Sequence, residues 1–405
     1  MYELIIMLYA LCVAILSIFN EKVRKMWKGE HEAFSILKDK VDSNARYIWF
    51  HAASLGEFEQ GRPIIERLRV EHPEIKILLT FFSPSGYEVR KNYQGADIIC
   101  YLPLDIYWNA RKFLNLVHPE AAFFIKYEFW WNYLHILHKR KIPVYSVSSI
   151  FREEQVFFHW YGCTYRHVLK CFTRFFVQNE TSRNLLNKLG ITCVDITGDT
   201  RFDRVLQIKS QAKDLPLVRI FKGDHKVFIA GSSWPPDEDI FIRYFNKHKD
   251  WKLIIAPHVI GDDHLKQIMS KLELKTIRYT EATEETVRDA ECLIIDCFGL
   301  LSSIYGYGDV AYIGGGFGVG IHNVLEAAVW NIPVIFGPNN KRFQEAQGLL
   351  ATNGGKEINE YADFREVMEK YLYNDSARIT DGNAAGNYVT SQAGATNKIV
   401  EKIKF

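Results

Sequence analysis

Glu57 lies where a carboxylate could carry out acid–base chemistry. The stretch "WFHAASLGEFEQGRPII", residues 49–65, passes from an apolar strand pattern through small residues to Glu57, at the start of a helical pattern. Carboxylates are stabilised in the first turn of a helix by the positive end of its dipole, so an ordinary dipole partner is one interpretation. A general base that accepts a proton is the other, and the rest of the chain has to decide between them.

Glu128 and Arg201 are two further charged candidates. Glu128 ends an apolar segment in "KYEFWWN", and the neighbouring Trp130 and Trp131 suggest a surface for a sugar or a lipid. A helix cap is the simpler role for this glutamate. Arg201, in "TGDTRFDRV", is a cation that could face a leaving phosphate, or an ordinary surface charge.

A glycine-rich segment, "GGGFGVGIHNVLEAA" at residues 314–328, is the strongest single motif. It follows a late strand, whereas a dinucleotide-binding fingerprint follows the first strand of its domain. Glycines allow a ligand to approach the backbone, Asn323 can cap the following helix, and a helix start offers N–H groups to a phosphate. Glu326 could accept hydrogen bonds from a ribose diol, so the segment fits a nucleotide-sugar donor. A glycine turn before an ordinary capped helix is the alternative.

Apolar β-type segments alternate with helical patterns, which is typical of parallel, doubly wound sheets. The pattern lapses into polar sequence around residues 197–215, which predicts two Rossmann-like domains in tandem. We predict an N-terminal membrane anchor over residues 1–21, a first domain over 22–210 and a second over 211–405. The predicted strands are 46–54, 76–82, 96–103, 121–128, 144–149 and 174–179, then 226–233, 252–258, 292–298, 310–316 and 333–338.

The residues that follow the predicted strands are polar or glycine-rich in both halves of the chain. Ser54, Gly56 and Glu57 follow the first strand, and Ser83 follows the second. Ligands of open α/β sheets bind beyond the carboxyl ends of the strands, so we expect the site in the cleft between the two domains. His258 also follows a strand, in "APH", but could be an ordinary loop histidine. The sequence has no metal-ligand spacing such as HExxH or paired CxxC.

The N-terminal run "LIIMLYALCVAILSIF", residues 4–19, has one weakly polar residue, Ser17. At about 1.5 Å per residue it reaches most of the way across a bilayer core of roughly 30 Å. A signal peptide has its basic residues in front and a small-residue cleavage site behind, which is the reverse of this order. We predict a membrane anchor with the following chain in the cytoplasm, and a buried helix or a monotopic hairpin is the alternative. The basic residues behind the run are Lys22, Arg24, Lys25 and Lys28.

The composition is that of a globular protein, with 48% hydrophobic and 24% charged residues, and 405 residues suffice for two domains. A formal net charge of +2 gives no reason to expect a nucleic acid partner. The seven cysteines include no CxxC pair and are interpreted as reduced thiols in a cytosolic compartment.

Taken together and in this order, the motifs resemble the Kdo (3-deoxy-D-manno-octulosonic acid) transferases of lipopolysaccharide synthesis. The resemblance covers nearly the whole chain. It implies an inverting, metal-independent GT-B glycosyltransferase at the cytoplasmic face of the inner membrane, without a cofactor, with CMP-Kdo as donor and a lipid A precursor (lipid IVA) as acceptor. The motifs that carry it are "HAASLGE", "TFFSPSGYE", "YLPLD", "YEFWWN", "GDTRFD", "GGGFGVGIHNVLEAA" and "PVIFGP".

The resemblance implies roles for individual residues. Glu57 matches the catalytic base, Glu128 matches a second acid, and Arg201 falls where the family usually has a lysine that stabilises the transition state. Ser54, Gly56 and Ser83 are candidates on the acceptor side. The CMP-binding positions match Pro257, His258, Phe298, Gly299, Leu300, Asn323, Val324, Leu325 and Glu326.

Several positions depart from the family pattern and bear on donor contacts more than on the type of reaction. Lys126 replaces an acid, Trp131 a proline, Gly316 a common serine and Leu300 a common acid, and Pro257–His258 lacks the arginine of a P-R-H motif. A nucleotide-sugar epimerase of the same two-domain shape, another membrane-associated glycosyltransferase and a non-enzymatic nucleotide-binding scaffold are the alternatives. The anchor and the aromatic first half argue against the epimerase.

Overall fold

The computed structural model of the chain describes residues 2–318 and 320–405. Met1 of the predicted anchor and Val319 of the glycine-rich segment lie outside the described residues. The chain divides into two units. The first contains the described residues up to Arg204 together with Ala393–Phe405, and the second is Val205–Gln392.

The first unit is built on one sheet of seven parallel strands, in the order β3-β2-β1-β4-β5-β6-β7. The central strands are buried along their whole length, as expected for a parallel sheet covered by helices on both faces. The strands are β1 Tyr47–Ala52, β2 Lys76–Phe81, β3 Ile98–Tyr101, β4 Ala121–Ile125, β5 Val144–Ser149, β6 Arg174–Val177 and β7 Val194–Ile196.

The helices of the first unit bury apolar faces on both sides of this sheet. One core forms around Trp49, Phe124 and Tyr133, and the other around Phe50, Ile64 and Phe123. The helices are α1 Tyr2–Phe19, α2 Glu21–Lys40, α3 Leu55–Glu71, α4 Pro84–Arg90, α5 Tyr107–Val117, α6 Trp131–Lys139, α7 Cys163–Leu169, α8 Glu180–Lys188 and, near the C-terminus, α19 Ala395–Val400.

The last thirteen residues pack on the first unit, whereas the sequence pattern places them in a domain spanning 211–405. Ile399 of α19 is fully buried in the core that contains Ile64. Asp203 accepts hydrogen bonds from the backbone N–H groups of Gly394 and Thr396, at 2.5 and 2.6 Å. The Tyr145 hydroxyl also bonds to the backbone of Lys404, and Lys402 pairs with Asp195. The periodicity of the sequence carries no signal for these contacts.

The second unit also has seven parallel strands, in the order β10-β11-β9-β8-β12-β13-β14. Its core gathers Phe228, Phe241, Leu253, Tyr312 and Phe364. The strands are β8 Lys226–Ser233, β9 Trp251–Pro257, β10 Thr276–Arg278, β11 Cys292–Ile294, β12 Val310–Ile313, β13 Val334–Phe336 and β14 Gly355–Glu357. The prediction of an α/β fold with two Rossmann-like parallel sheets is confirmed.

The division between the units falls within α9, Arg201–Ser210. The remaining helices belong to the second unit. They are α10 Pro216–Lys222, α11 Pro235–Phe245, α12 Asp262–Lys271, α13 Glu284–Arg288, α14 Leu301–Ile304, α15 Leu325–Ala328, α16 Gln344–Ala351, α17 Tyr361–Tyr373 and α18 Asp375–Gln392.

The direction of chain winding reverses between β1 and β4 in the first sheet, and between β8 and β12 in the second. Crevices that bind ligands form at the carboxyl ends of the strands on either side of such a reversal. Glu57 and Glu128 follow β1 and β4, while Trp234 and the glycine-rich segment follow β8 and β12. The candidate residues of each unit therefore lie where its topology favours a site.

Candidate functional site

Glu57 lies in the first turn of α3, just beyond β1. Ser54 is the N-cap residue in an extended conformation, and the chain turns there from strand to helix. The backbone N–H of Ala53 donates to Glu57 Oε2 at 2.6 Å, which holds the carboxylate over the helix start. Glu57 therefore has a partner at the helix start, as expected for a helix-dipole partner. The pKa of the carboxyl group has to distinguish this role from that of a general base.

The surroundings of Glu57 raise its pKa to about 7. Burial is the largest cause, and the negative charge of Glu128 is the next. The backbone N–H groups of Ala53 and Ser54 and the charge of Lys126 act in the opposite direction but do not cancel these effects. A carboxyl group that titrates near neutral pH can both accept and release a proton under physiological conditions.

Glu128, in the segment that follows β4, is held by ring nitrogens of His51 and Trp130. Its side chain is 11% exposed, and its Oε2 lies 3.0 Å from Nε2 of His51. Trp130 Nε1 donates to the same oxygen at 2.7 Å. The structure therefore brings Glu57 and Glu128 to the same crevice, and it adds two neighbours, His51 and Trp130, to which the sequence analysis gave no role toward Glu128.

Arg201 is fixed in an ion pair near the start of α9. Its Nε and Nη2 donate to Asp199 Oδ2 at 2.9 and 2.8 Å, and its backbone N–H donates to Oδ1 at 2.9 Å. Burial alone raises the pKa of Asp199, but the charge and hydrogen bonds of Arg201 together with a bond from Gln60 hold it below its ordinary value. The charges of Glu57 and Arg201 both act on the hydroxyl of Tyr127, so Arg201 belongs to the surroundings of the base.

The three acceptor-side candidates have different environments. Within the described residues, the Ser54 side chain makes no cap hydrogen bond, and a Cβ added to the exposed Gly56 meets no atom within 4 Å. Ser83 instead caps α4, because its Oγ accepts a hydrogen bond from the N–H of Ser85 at 3.2 Å. Ser54 and Gly56 leave room above the base, whereas Ser83 has a structural role.

In the second unit, a buried carboxylate holds the glycine-rich segment. Asp237 Oδ2 accepts hydrogen bonds from the N–H groups of Gly315 and Trp234, both at 2.9 Å, and Oδ1 accepts one from the Tyr312 hydroxyl at 2.7 Å. The sequence analysis missed Asp237, although an acid three residues after an N-cap position is a recognised helix-start signal.

The glycines of this segment are required by the protein's own backbone. A Cβ on Gly314 would lie 2.2 Å from the carbonyl oxygen of Ser232, and one on Gly316 would lie 2.6 Å from the backbone of Gly337. The expectation that these glycines admit a ligand is therefore corrected for Gly314 and Gly316, because neighbouring strand ends already occupy the space.

Three rings stack at the carboxyl ends of β8, β9 and β12. The centroid of the His258 ring lies 4.8 Å from that of Trp234 and 4.3 Å from that of His322. Trp234 Nε1 is also 3.1 Å from His322 Nε2. Burial, with a contribution from His258, lowers the pKa of His322 to about 4, so this ring is neutral at physiological pH and accepts the tryptophan N–H. Of the three, sequence reasoning had identified only His258.

The remaining candidates of the second unit differ in accessibility. Phe298 is 81% exposed, and Gly299 has a φ of 84°, which favours glycine. The side chains of Val324 and Leu325 are fully buried and cannot reach a ligand. Pro257 is buried at the end of β9, and Leu300, half-buried, is the N-cap residue of α14.

Asn323 and Glu326 lie together at the start of α15. Asn323 Nδ2 donates to Glu326 Oε1 at 3.0 Å, and the N–H of Leu325 donates to Asn323 Oδ1 at 3.2 Å. The prediction that Asn323 caps this helix is corrected, because Val324 is the N-cap residue of the four-residue α15 and Asn323 binds Leu325 from one position earlier. No group of three or more His, Cys, Asp or Glu side chains is placed to hold a metal ion within the described part of the chain.

Comparison with known proteins connects this geometry to a family. Residues 28–204 match the family model of 3-deoxy-D-manno-octulosonic-acid transferases (kdotransferases). A 3-deoxy-D-manno-octulosonic acid transferase of Haemophilus influenzae is 26% identical over 371 residues, which cover 88% of this chain and 86% of that protein. The enzyme of the same name from Aquifex aeolicus is 28% identical over 324 residues, with 78% and 83% covered. The predicted resemblance is confirmed, and the chain is a glycosyltransferase.

Solved structures agree on the fold. UDP-GlcNAc 2-epimerase from Neisseria meningitidis aligns with a TM-score of 0.62 at 15% identity, covering 88% of this chain and 98% of that one. The corresponding epimerase from Methanocaldococcus jannaschii aligns with a TM-score of 0.56 at 16% identity, covering 85% and 99%. At such identities the likeness shows the fold alone, and the predicted GT-B class is confirmed.

Proposed function

We propose that this chain, a glycosyltransferase whose residues 28–204 form a Kdo transferase family domain, transfers Kdo from CMP-Kdo to a lipid A precursor, lipid IVA. The observation that carries the proposal is Glu57, a half-buried carboxyl group whose pKa is raised to about 7 at the carboxyl end of a Rossmann-like sheet. The relatives from two bacteria, which match most of the chain, support the donor sugar and the place in lipopolysaccharide synthesis.

Glu57 acts as the general base in this mechanism. An acceptor hydroxyl attacks the anomeric carbon of Kdo, and the bond from that carbon to the phosphate oxygen of CMP breaks. The electron pair leaves with CMP, and Glu57 takes the hydroxyl proton. Attack opposite the leaving group inverts the configuration without a covalent intermediate. Because only the ionised carboxylate accepts a proton, the rate should rise with pH through the pKa near 7.

Glu128 and Arg201 support this step from fixed positions. Glu128 keeps a negative charge near Glu57 and so maintains its basicity. Arg201 supplies a positive charge that stabilises the negative charge developing in the transition state, and Asp199 fixes the direction of its guanidinium group. A cation with two orienting bonds loses little freedom on binding an anion.

The second unit binds CMP-Kdo at the carboxyl ends of its strands. The exposed Phe298 and the ring of His258 offer flat apolar surfaces to the cytosine ring of CMP. Glu326, with Asn323 beside it, accepts hydrogen bonds from the ribose hydroxyls. The buried Val324 and Leu325 contribute through their backbone and through packing.

We expect the Glu57→Gln variant to lose on the order of 10² to 10⁴ in turnover, because the amide keeps the size of the side chain but accepts no proton. The assay incubates purified protein with CMP-Kdo and lipid IVA, and with UDP-sugars in parallel, followed by mass spectrometry of the lipid and the sugar nucleotides.

The matched control is Glu71→Gln at the other end of α3, where the carboxylate pairs with Arg67 near the surface. It should retain wild-type turnover. Full activity in Glu57→Gln would leave Glu57 a helix-dipole partner, and conversion of UDP-sugars without Kdo transfer would favour the epimerase alternative.

For the donor site, we expect Glu326→Ala to weaken CMP binding by about 1.5–3 kcal/mol, the range for hydrogen bonds to a charged group. Isothermal titration calorimetry with CMP measures the change. The matched variant is Glu345→Ala in the same unit, which should leave CMP affinity unchanged. An unchanged affinity in Glu326→Ala would move the ribose contact to another residue.

We also propose that α1 attaches the chain to the cytoplasmic face of the inner membrane by lying in the membrane plane. Within the described residues, α1 is the one helix long and apolar enough to cross a membrane, and only 11% of it is buried. Yet its beginning is fastened to the first unit, because Tyr2 donates to Asp105 at 2.5 Å and Glu3 accepts from Asn132 at 2.8 Å. Its exposed apolar side chains include Leu4, Met7, Leu8, Leu11, Ile15, Leu16, Ile18 and Phe19.

The end of α1 is fastened as well. Arg24 of α2 donates to the carbonyl oxygens of Ser17 and Ile18, at 3.0 and 2.9 Å. Lys25 pairs with Glu21 within α2 at 2.8 Å. These two cations are already paired with groups of α1 and α2. The apolar side chains of α1 therefore supply most of the membrane affinity.

A helix in the membrane plane predicts that both of its ends face the cytoplasm. A protease-cleavable tag placed before residue 1 should be cut in inverted inner-membrane vesicles and protected in intact spheroplasts. The same tag at the C-terminus is the control and should behave identically. Cleavage of the N-terminal tag from outside the spheroplast would show that α1 crosses the membrane.

A further inference from the structure

His51 is a fully buried histidine at the centre of the first sheet, behind the proposed catalytic carboxylates. It lies on β1 between β2 and β4 and is 0% exposed. Its ring contacts those of Phe124 and Trp130, with centroids 5.8 and 6.1 Å away. A polar ring in such a place is retained only where both of its nitrogens find partners.

The hydrogen bonds around His51 determine which nitrogen carries the proton. Trp49 Nε1 donates to Thr80 Oγ1 at 2.8 Å, so this hydroxyl oxygen already accepts one bond. The hydroxyl proton can go to His51 Nδ1 at 2.9 Å or to the carbonyl oxygen of Phe50 at 3.4 Å, and the shorter contact is the better bond. His51 Nδ1 is then an acceptor, and the proton of the neutral ring is on Nε2.

This tautomer directs an N–H group at Glu128. His51 Nε2 lies 3.0 Å from Glu128 Oε2, and Trp130 Nε1 donates to the same oxygen at 2.7 Å. Trp130 Nε1 also lies 3.0 Å from His51 Nε2, but its shorter bond goes to the carboxylate oxygen, which is the stronger acceptor. An oxygen that receives two N–H bonds in a largely buried position is held in one place. The chain Trp49–Thr80–His51–Glu128 thus runs from the interior of the sheet to the crevice with a donor and an acceptor matched at every step.

We propose that His51 is a positioning residue, which through its Nε2–H holds the Glu128 carboxylate in place beside Glu57. The inference rests on the proposed function for its kinetic consequence. Among the described groups facing Glu57, Glu128 is the like charge and Lys126 the opposite one, and the hydroxyl of Tyr127 and the guanidinium of Arg201 complete the surroundings.

The kinetic test measures kcat/KM against pH for three variants. His51→Leu removes the N–H that holds the Glu128 carboxylate, so the Glu128 side chain is free to turn away from Glu57 and the acid limb set by Glu57 should move down by about one pH unit. Glu128→Gln should move it in the same direction, and the double variant should titrate like Glu128→Gln alone. His51→Gln, whose amide N–H can replace Nε2–H, should restore the wild-type limb.

The control is His72→Leu, which removes a half-buried histidine that lies 3.6 Å from Glu74 in the same unit. Its pH profile should match the wild type. A lower kcat in His51→Leu with an unshifted acid limb, or additive shifts in the double variant, would reduce His51 to a packing residue.

A second measurement needs no substrate and therefore separates failure of this inference from failure of the proposed function. The ¹⁵N spectrum of the histidine rings in the full-length protein should show His51 as the Nε2–H tautomer. In Thr80→Val, where Nδ1 loses its donor, the signal should move away from that pure tautomer. A protonated Nδ1 in the wild type would overturn the assignment whether or not Kdo transfer is observed.

Discussion

The unfavourable proximity of two carboxylates, Glu57 and Glu128, is the interaction on which the proposed chemistry of the first unit depends. Burial and the charge of Glu128 oppose ionisation of Glu57, while Lys126 and two backbone N–H groups only partly compensate. The strand order makes the pair possible, because it places β1 beside β4. Lys126 follows β4 with a φ of 65°, a left-handed conformation that is unusual for lysine and is typical of strained functional loops.

The second unit is organised around a different constraint, the close approach of backbone segments at the ends of β8, β12 and β13. Gly314 and Gly316 permit this approach, and the buried carboxylate of Asp237 holds Gly315 at its backbone N–H. A segment fixed in this way presents its neighbours, including the stacked rings of His258 and His322, in one arrangement before a ligand binds. Such preorganisation lowers the entropic cost of binding.

Sequence patterns predicted the long buried strands and missed β7, β10 and β14, which have three residues each and are at most partly buried over most of their length. The rule that ligands bind at carboxyl ends of strands drew attention to the strand ends at which Glu57 and Glu128 lie. It could not indicate the hydrogen bonds between Glu128 and His51, 77 residues apart, because these depend on how strands pack. The docking of residues 393–405 on the first unit was unpredictable for the same reason.

The most direct measurement is the titration of the Glu57 side-chain carboxyl carbon by ¹³C NMR, in the wild type and in Glu128→Gln. We expect a midpoint near pH 7 in the wild type, as burial and the charge of Glu128 require. The midpoint should fall in Glu128→Gln, where the like charge is gone and Lys126 remains. A wild-type midpoint at the ordinary glutamate value of about 4.3, or one that does not change in the variant, would contradict the assignment of Glu57 as a base tuned by Glu128.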